Sequence, residues 1–219
     1  MNLSSGSLIL ACLLGTSLAL SCSHPHENQQ LFTLMDNTGV HFTNNVEDGK
    51  LDNSFLFRNF YNGGGVAIGD INNDGLPDIF FTSNMGSNKL YLNKGSFQFE
   101  DITDKAGFRQ DSMWSTGVTM VDINNDGWLD IYICNSGHMS DGNRKNKLYI
   151  NNHDGTFTES AAKYGLDISA YTTQVTFFDY DGDGDLDCFM IDTAPSPSIP
   201  STIPTGATFR IPYGRLNPS

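Results

Sequence analysis

Short apolar runs separated by polar turns recur along most of the chain. "GVAIGD" (65–70) and "DIFFTS" (78–83) are rich in Val, Ile and Phe and bounded by Gly, Asn and Asp, while "KLYLN" (89–93) alternates apolar with polar residues. Runs of this length and composition predict β-strands. "GVAIGDINNDGLPDIFFTSN" (65–84) returns as "GVTMVDINNDGWLDIYICNS" (117–136) and again as "QVTFFDYDGDGDLDCFMIDT" (174–193); "NKLYLNKGSFQFEDITDKAGF" (88–108) returns as "NKLYINNHDGTFTESAAKYGL" (146–166). Each unit offers about four short strands in roughly 50 residues, the spacing of a propeller blade. The pattern predicts an all-β fold, a partial β-propeller of about three four-stranded antiparallel blades. Helix is limited to a turn around 103–106 or 160–163.

The pattern also sets boundaries. The first 21 residues carry no charge and an apolar run from Leu8 to Leu20. That run is short for a membrane span and reads as the hydrophobic part of a signal peptide over 1–21. "LALS" before Cys22 resembles a bacterial lipobox, which implies cleavage before Cys22 and its acylation. The n-region lacks Lys and Arg and Leu20 is bulky for its place, so a plain signal peptide is the alternative. Residues 22–30 read as a tether, with His24 and His26 as linker residues. The repeat region runs over 31–193. Residues 194–219 hold six of the eight prolines and no acid, the composition of a disordered tail.

"FTLMDNTGV" (32–40) is similar to the blade-ending "FEDITDKAGF" (99–108), as though the N-terminus supplied an outer strand to a final blade that is missing here. Three units do not close a ring. The sequence therefore reads as the N-terminal portion of a larger repeat design, truncated near Thr193; a linker to a partner chain is the competing account. Open blade edges are expected to favour self-association.

Composition narrows the function classes. With 38% hydrophobic and 17% charged residues the chain can bury a core. Its 25 Asp plus Glu against 12 Lys plus Arg give a net charge of -13, which repels phosphate backbones and argues against nucleic acid as a partner.

Much of that charge is concentrated in three loops. Each follows the frame Asp, any, Asp or Asn, any, Asp, Gly, any, any, Asp: Asp70, Asn72, Asp74 and Asp78; Asp122, Asn124, Asp126 and Asp130; Asp179, Asp181, Asp183 and Asp187. Carboxylates this close resist ionising together unless a cation lies among them. Oxygens at positions one, three, five and nine, a main-chain carbonyl at seven and a glycine at six suit one hard cation, Ca²⁺ before Mg²⁺. Position seven is Leu76, Trp128 or Asp185, so only the backbone oxygen is common to all three. About three calcium sites are expected, the third binding tightest because it has the most acidic ligands. An EF-hand needs a Glu at position twelve and flanking helices; that position holds Phe81, Ile133 or Met190.

These residues resemble the FG-GAP and VCBS repeats, the calcium-loop blades of integrin α propellers and many bacterial surface proteins. The combination of signal, "YNGGGVAIGDINNDGLPDIFF" and "NKLYLNKGSFQFEDITDKAG" is most similar to a bacterial group related to cartilage acidic protein, exported lipoproteins in which an ASPIC/UnbV domain follows the propeller. The resemblance implies calcium at the frame residues and a place at the outer membrane or cell surface, with periplasmic or secreted location as the alternative. It implies membrane attachment only through a lipid anchor.

Two details remain. Cys188 aligns with Ile79 and Ile131, and Cys134 with Thr82, three positions apart in register and hence on opposite sheet faces; the expectation is two free thiols rather than a disulfide. The second unit carries an insertion, "NSGHMSDGNRK" (135–145), where His138, Asp141, Arg144 and Lys145 form either a recognition loop or an ordinary tolerated one. The sequence has no G-x-S-x-G elbow, its five histidines are scattered, and no acid or base stands out from the calcium frames as a catalytic candidate, so the expectation is a non-catalytic binding or adhesion module for an extracellular protein or glycan. A calcium-dependent propeller enzyme acting on polysaccharide, or a non-functional fragment, is the alternative.

Overall fold

Antiparallel pairing of the repeated apolar runs builds the structure, a computed structural model that describes residues 31–50, 53–55, 60–108, 113–136, 144–184 and 186–192, with the backbone of 208–209. In the first repeat β1 (Val66–Gly69), β2 (Asp78–Phe81), β3 (Lys89–Asn93) and β4 (Phe99–Asp101) pair in sequence order. The second repeat does the same with β5 (Ser115–Val121), β6 (Asp130–Asn135), β7 (Lys147–Asn151) and β8 (Phe157–Glu159). The third places β10 (Asp187–Asp192) between β9 (Thr172–Phe178) and β11 (Thr208–Phe209). Among the described residues these are two four-stranded blades and a three-stranded third, an all-β partial propeller as the pattern predicts. Thr208–Phe209 thus pairs within a segment expected to lack structure; the rest of that tail, the signal segment, the tether and Cys22 lie outside the described residues.

The register follows the repeat. Ile79 faces Tyr91 and Ile131 faces Tyr149; Ile68 pairs with Ile79 and Met120 with Ile131. Among the described residues helix is confined to one turn, α1 (Ala161–Tyr164), closed by Gly165 in the left-handed region at φ 68°. The corresponding 103–107 stretch is a hydrogen-bonded turn, with the Ala106 N–H donating to the Ile102 carbonyl at 2.7 Å.

Blades stack face to face, and the middle one is covered on both sides. Every residue of β6 is buried: Ile131 and Ile133 join Phe80, Leu90 and Val118 in the core against the first blade, while Tyr132 and Cys134 join Val175, Cys188 and Met190 in the core against the third. Continuous apolar runs are what a strand buried on both faces requires. Threonine hydroxyls cross the inner strands: Thr82 donates to the Thr116 carbonyl, Thr116 to that of Thr172 at 2.6 Å, and Thr119 to that of Val175 at 2.7 Å. Space is tight here. A Cβ on Gly117 would lie 2.5 Å from the Thr173 carbonyl oxygen.

The cysteines are free, as expected, but the geometric reason differs. Cys134 and Cys188 do lie on opposite faces of their own sheets, yet the trailing face of one blade packs on the leading face of the next, so both are buried in one core cluster. Burial pushes the Cys188 thiol up to about 12 and Cys134 well above its usual value, with Cys188 adding to the rise at Cys134.

The N-terminal motif forms no strand over 31–50, but its Thr38 carbonyl meets the first blade. The Phe99 N–H donates to the Thr38 carbonyl at 2.8 Å, matching Phe157 to Ala106 at 2.9 Å in the second blade. Thr38 and Gly39 therefore stand at the first blade where Ala106 and Gly107 stand at the second.

Candidate metal centre

All three frames form the same bend between an inner strand and its partner. Position six is left-handed in each, at Gly75 (φ 85°), Gly127 (φ 85°) and Gly184 (φ 91°). Position four is left-handed as well, at Asn73, Asn125 and Gly182. The sequence frame leaves that position open, but Asn, Asn and Gly are the residues that tolerate this conformation.

In the first loop Asp70 accepts the backbone N–H groups of Asp74 (3.1 Å) and Gly75 (2.7 Å), and Asn72 Oδ1 accepts that of Asp74 at 3.2 Å. The second repeats this with Asp122 accepting from Asp126 (3.0 Å) and Gly127 (2.8 Å). The third has Asp179 accepting from Gly182, Asp183 and Gly184. At position seven, Leu76 and Trp128 donate their N–H groups to Asp74 and Asp126; Asp185 lies outside the described residues.

Position nine is different. Asp78 and Asp130 are fully buried and Asp187 nearly so, each opening the second strand of its blade. Asp78 accepts from the backbone of Ile71 (3.0 Å) and Asn93 (2.7 Å), Asp130 from Ile123 (3.1 Å) and Asn151 (2.8 Å), and Asp187 from Tyr180 (2.9 Å). Burial pushes Asp130 up to about 7 against the pull of those two N–H groups, and Asp126 and Asp122 add to the rise. Asp78 is raised for the same reason.

The donor set fits a hard cation best in the third loop. Carboxylate oxygens of Asp179, Asp181 and Asp187 lie within 4.8 Å of one another, and among the described residues no other group of three acidic or ligating side chains comes that close. In the other two loops position three is an amide that also donates, Asn72 Nδ2 to Asp74 Oδ2 at 2.9 Å and Asn124 Nδ2 to Asp126 Oδ2 at 2.8 Å. Converging carboxylates are favoured in their ionised form when a divalent ion lies between them.

Several residues around the loops escape a reading of the frame alone. His153 Nε2 lies 3.0 Å from Asp126 Oδ2, and its ring stacks on Trp128 with centroids 4.8 Å apart. Beside them a hollow of about 260 Å³ is lined by Ile71, Leu92, Ile102, Lys105, Trp128 and His153. Asn151 Nδ2 donates to the carbonyls of Ile71 and Leu129, joining the first loop to the second blade. Its signal was the repeated Asn closing "KLYLN" and "KLYIN".

Within the insertion, Arg144 stacks over Tyr171 at 4.9 Å and Lys145 pairs with Asp167 at 2.7 Å, so both brace the blade. His138 and Asp141 lie outside the described residues.

Residues 70–133 and 136–190 match the model of the FG-GAP-like repeat. The chain is similar to cartilage acidic protein 1 of Xenopus tropicalis, 31% identical over 136 residues that make up 62% of this chain and 20% of that protein. It is also similar to the Homo sapiens protein of that name, 29% identical over 133 residues, 59% of this chain and 19% of the relative. The Mus musculus protein is 28% identical over 130 residues, 58% and 19% of the two chains. The chain thus spans about a fifth of the length of these relatives.

Proposed function

The chain belongs to the FG-GAP-like repeat family, and from that premise we propose that it is an exported, calcium-loaded, non-catalytic binding module at the bacterial cell surface. The observation that carries the reading is the convergence of Asp179, Asp181 and Asp187 within 4.8 Å, in a frame that two further loops repeat. Asp183 and the main chain at Asp185 complete the third set; Asp70, Asn72, Asp74, Asp78 and the Leu76 carbonyl supply the first, and Asp122, Asn124, Asp126, Asp130 and the Trp128 carbonyl the second. Bound calcium offsets part of each loop's negative charge and ties its ends.

The ninth-position aspartates hold the loop root to the strands through backbone N–H groups, and Asp70, Asp122 and Asp179 keep the bends folded. This frees the loop rim, rather than the strands, for contact with an extracellular protein or glycan. Cys22 is the proposed lipid anchor; among the described residues no helix is long and apolar enough to cross a membrane.

Calorimetric titration with calcium, followed by glycan-array binding and a polysaccharide depolymerisation assay with and without the ion, tests the proposal. Calcium-dependent binding without turnover is the expected result. Turnover, or failure to bind calcium at micromolar to millimolar concentration, overturns it.

A further inference from the structure

A leucine and a glycine of the first repeat become a stacked pair of rings in the second. Position seven of the proposed ligand frame contributes only its main chain, so its side chain is free to vary, and it does: Leu76, Trp128 and Asp185. In the first blade Leu76 lies beside Gly95, where an added Cβ would sit 3.9 Å from Leu76 Cδ1. In the second blade Trp128 lies beside His153, the counterpart of Gly95, and the two rings stack with centroids 4.8 Å apart. Gly95 is left-handed at φ 83°; His153 keeps that backbone at φ 64°, although a side chain is disfavoured there.

These rings border the hollow of about 260 Å³ at the junction of the first two blades, and each residue lining it belongs to one of those blades. Its walls are fixed without a ligand. Asn73 Nδ2 donates to the Gly127 carbonyl at 3.0 Å and Asn151 Nδ2 to that of Ile71 at 2.8 Å, tying the first loop to the second blade. A site held in shape beforehand loses less on binding. Ile71, Leu92 and Ile102 give the hollow an apolar side, and Lys105 and Asp154 a polar one. Lys105 is exposed and forms no ion pair among the described residues. Asp154 Oδ1 accepts the Thr156 N–H at 2.9 Å, which leaves Oδ2 open.

We infer that this hollow is a binding site for a single uncharged sugar ring of a glycan. The inference rests on the binding-module reading above and names its ligand. A pyranose has a face of C–H groups and a rim of hydroxyls that both donate and accept. The C–H face suits the Trp128 and His153 rings and the aliphatic side, which gain by leaving water. The hydroxyls accept from Lys105 and donate to Asp154. A carboxylate ligand would face Asp154 and an ammonium ligand Lys105, so net charge of either sign is opposed. Volume sets the size: the hollow falls below the roughly 300–1,000 Å³ of sites for drug-sized molecules, so it takes one ring and leaves the rest of a glycan on the rim.

The test is a nuclear magnetic resonance titration of the full chain in calcium buffer with the methyl pyranosides of glucose, galactose and mannose. Methyl glucuronide, methyl glucosaminide and N-acetyltyrosine amide serve as charged-sugar and protein-side-chain comparators. The chain has two tryptophans, so Trp114, buried against Phe60, is the internal reference for the Trp128 indole signal. At least one neutral pyranoside is expected to shift the Trp128 signal saturably, with a Kd of about 1–10 mM, and to leave Trp114 unmoved. Lys105→Met is expected to weaken that binding about fivefold or more while binding calcium as the wild type does, and Trp128→Leu to weaken it about tenfold or more in ligand-observed spectra. The absence of a saturable shift up to about 100 mM overturns the inference, as does tighter binding of a charged sugar or the tyrosine probe, or unchanged affinity in either variant. Glycan-array binding that survives both substitutions overturns this site alone and leaves the binding-module reading standing. Should Trp128→Leu lose its far-ultraviolet circular dichroism, the exposed Lys105→Met carries the test with the same readout.

Discussion

Asp130 Oδ1 accepts the backbone N–H of Asn151 at 2.8 Å across a fully buried junction, while its Oδ2 accepts that of Ile123 at 3.1 Å. One carboxylate thus ties the root of the second loop to the third strand of its blade, whether or not an ion is bound. Removing it leaves two buried donors unpaired, each costing about 1–3 kcal/mol. Asp130→Ala is expected to lower stability by roughly 2–4 kcal/mol in urea unfolding even in calcium-free buffer, and Asp130→Asn to recover part of it. In the same buffer the exposed Asp126→Asn is expected to change stability by about 0.5 kcal/mol or less.

The third loop differs from the others at position three, where Asp181 stands in place of Asn72 and Asn124. Calcium titration of Asp181→Asn is expected to show affinity at that site reduced by about tenfold or more, because a neutral amide oxygen replaces a charged ligand. Unchanged affinity would show that ligand charge does not set the order of the three sites.

At Gly117 an added Cβ would approach the Thr173 carbonyl oxygen to 2.5 Å and the Gln174 Cα to 3.0 Å, both on the next blade. Because these are main-chain atoms, relief requires the blades to part. Gly117→Ala is expected to cost about 1–3 kcal/mol by overpacking, read as a lower Tm. The cavity-free control Gly127→Ala tests a different penalty, since its surroundings are open and only its positive φ opposes a side chain.

Both buried thiols resist ionisation in the folded chain, Cys188 up to about 12 and Cys134 in the same direction. Their stabilising contribution is complete below the ordinary thiol value near 8.5 and is lost as pH rises through the folded one. Alkylation at pH 8 followed by peptide mapping is expected to leave Cys134 and Cys188 unmodified until denaturant is added. Rapid labelling of either in the native protein would contradict the packing of the second and third blades.

The strands were legible because each apolar run is local, and three aligned copies removed the ambiguity a single run would have. The loop frame was legible for the same reason, since ligands one, three, five and nine are near neighbours in sequence. Asn73, Asn125 and Gly182 were less so: their role lies in a backbone conformation, and a frame built on ligand oxygens alone does not reveal it. Asn151 and His153 stood outside the frame because they reach the loops from a strand and turn that only pairing brings near.

Sequence by itself determined the repeat, the all-β architecture and the acidic frames, since each is written in short-range spacing. Tertiary structure decided which faces meet. Cys134 and Cys188 occupy opposite sides of equivalent sheets, yet stacking turns those sides toward one another and places both thiols in one core. Val66 and Val175 sit in the same place of the same repeat, yet one is open and the other buried, because burial depends on the neighbouring blade and not on the residue.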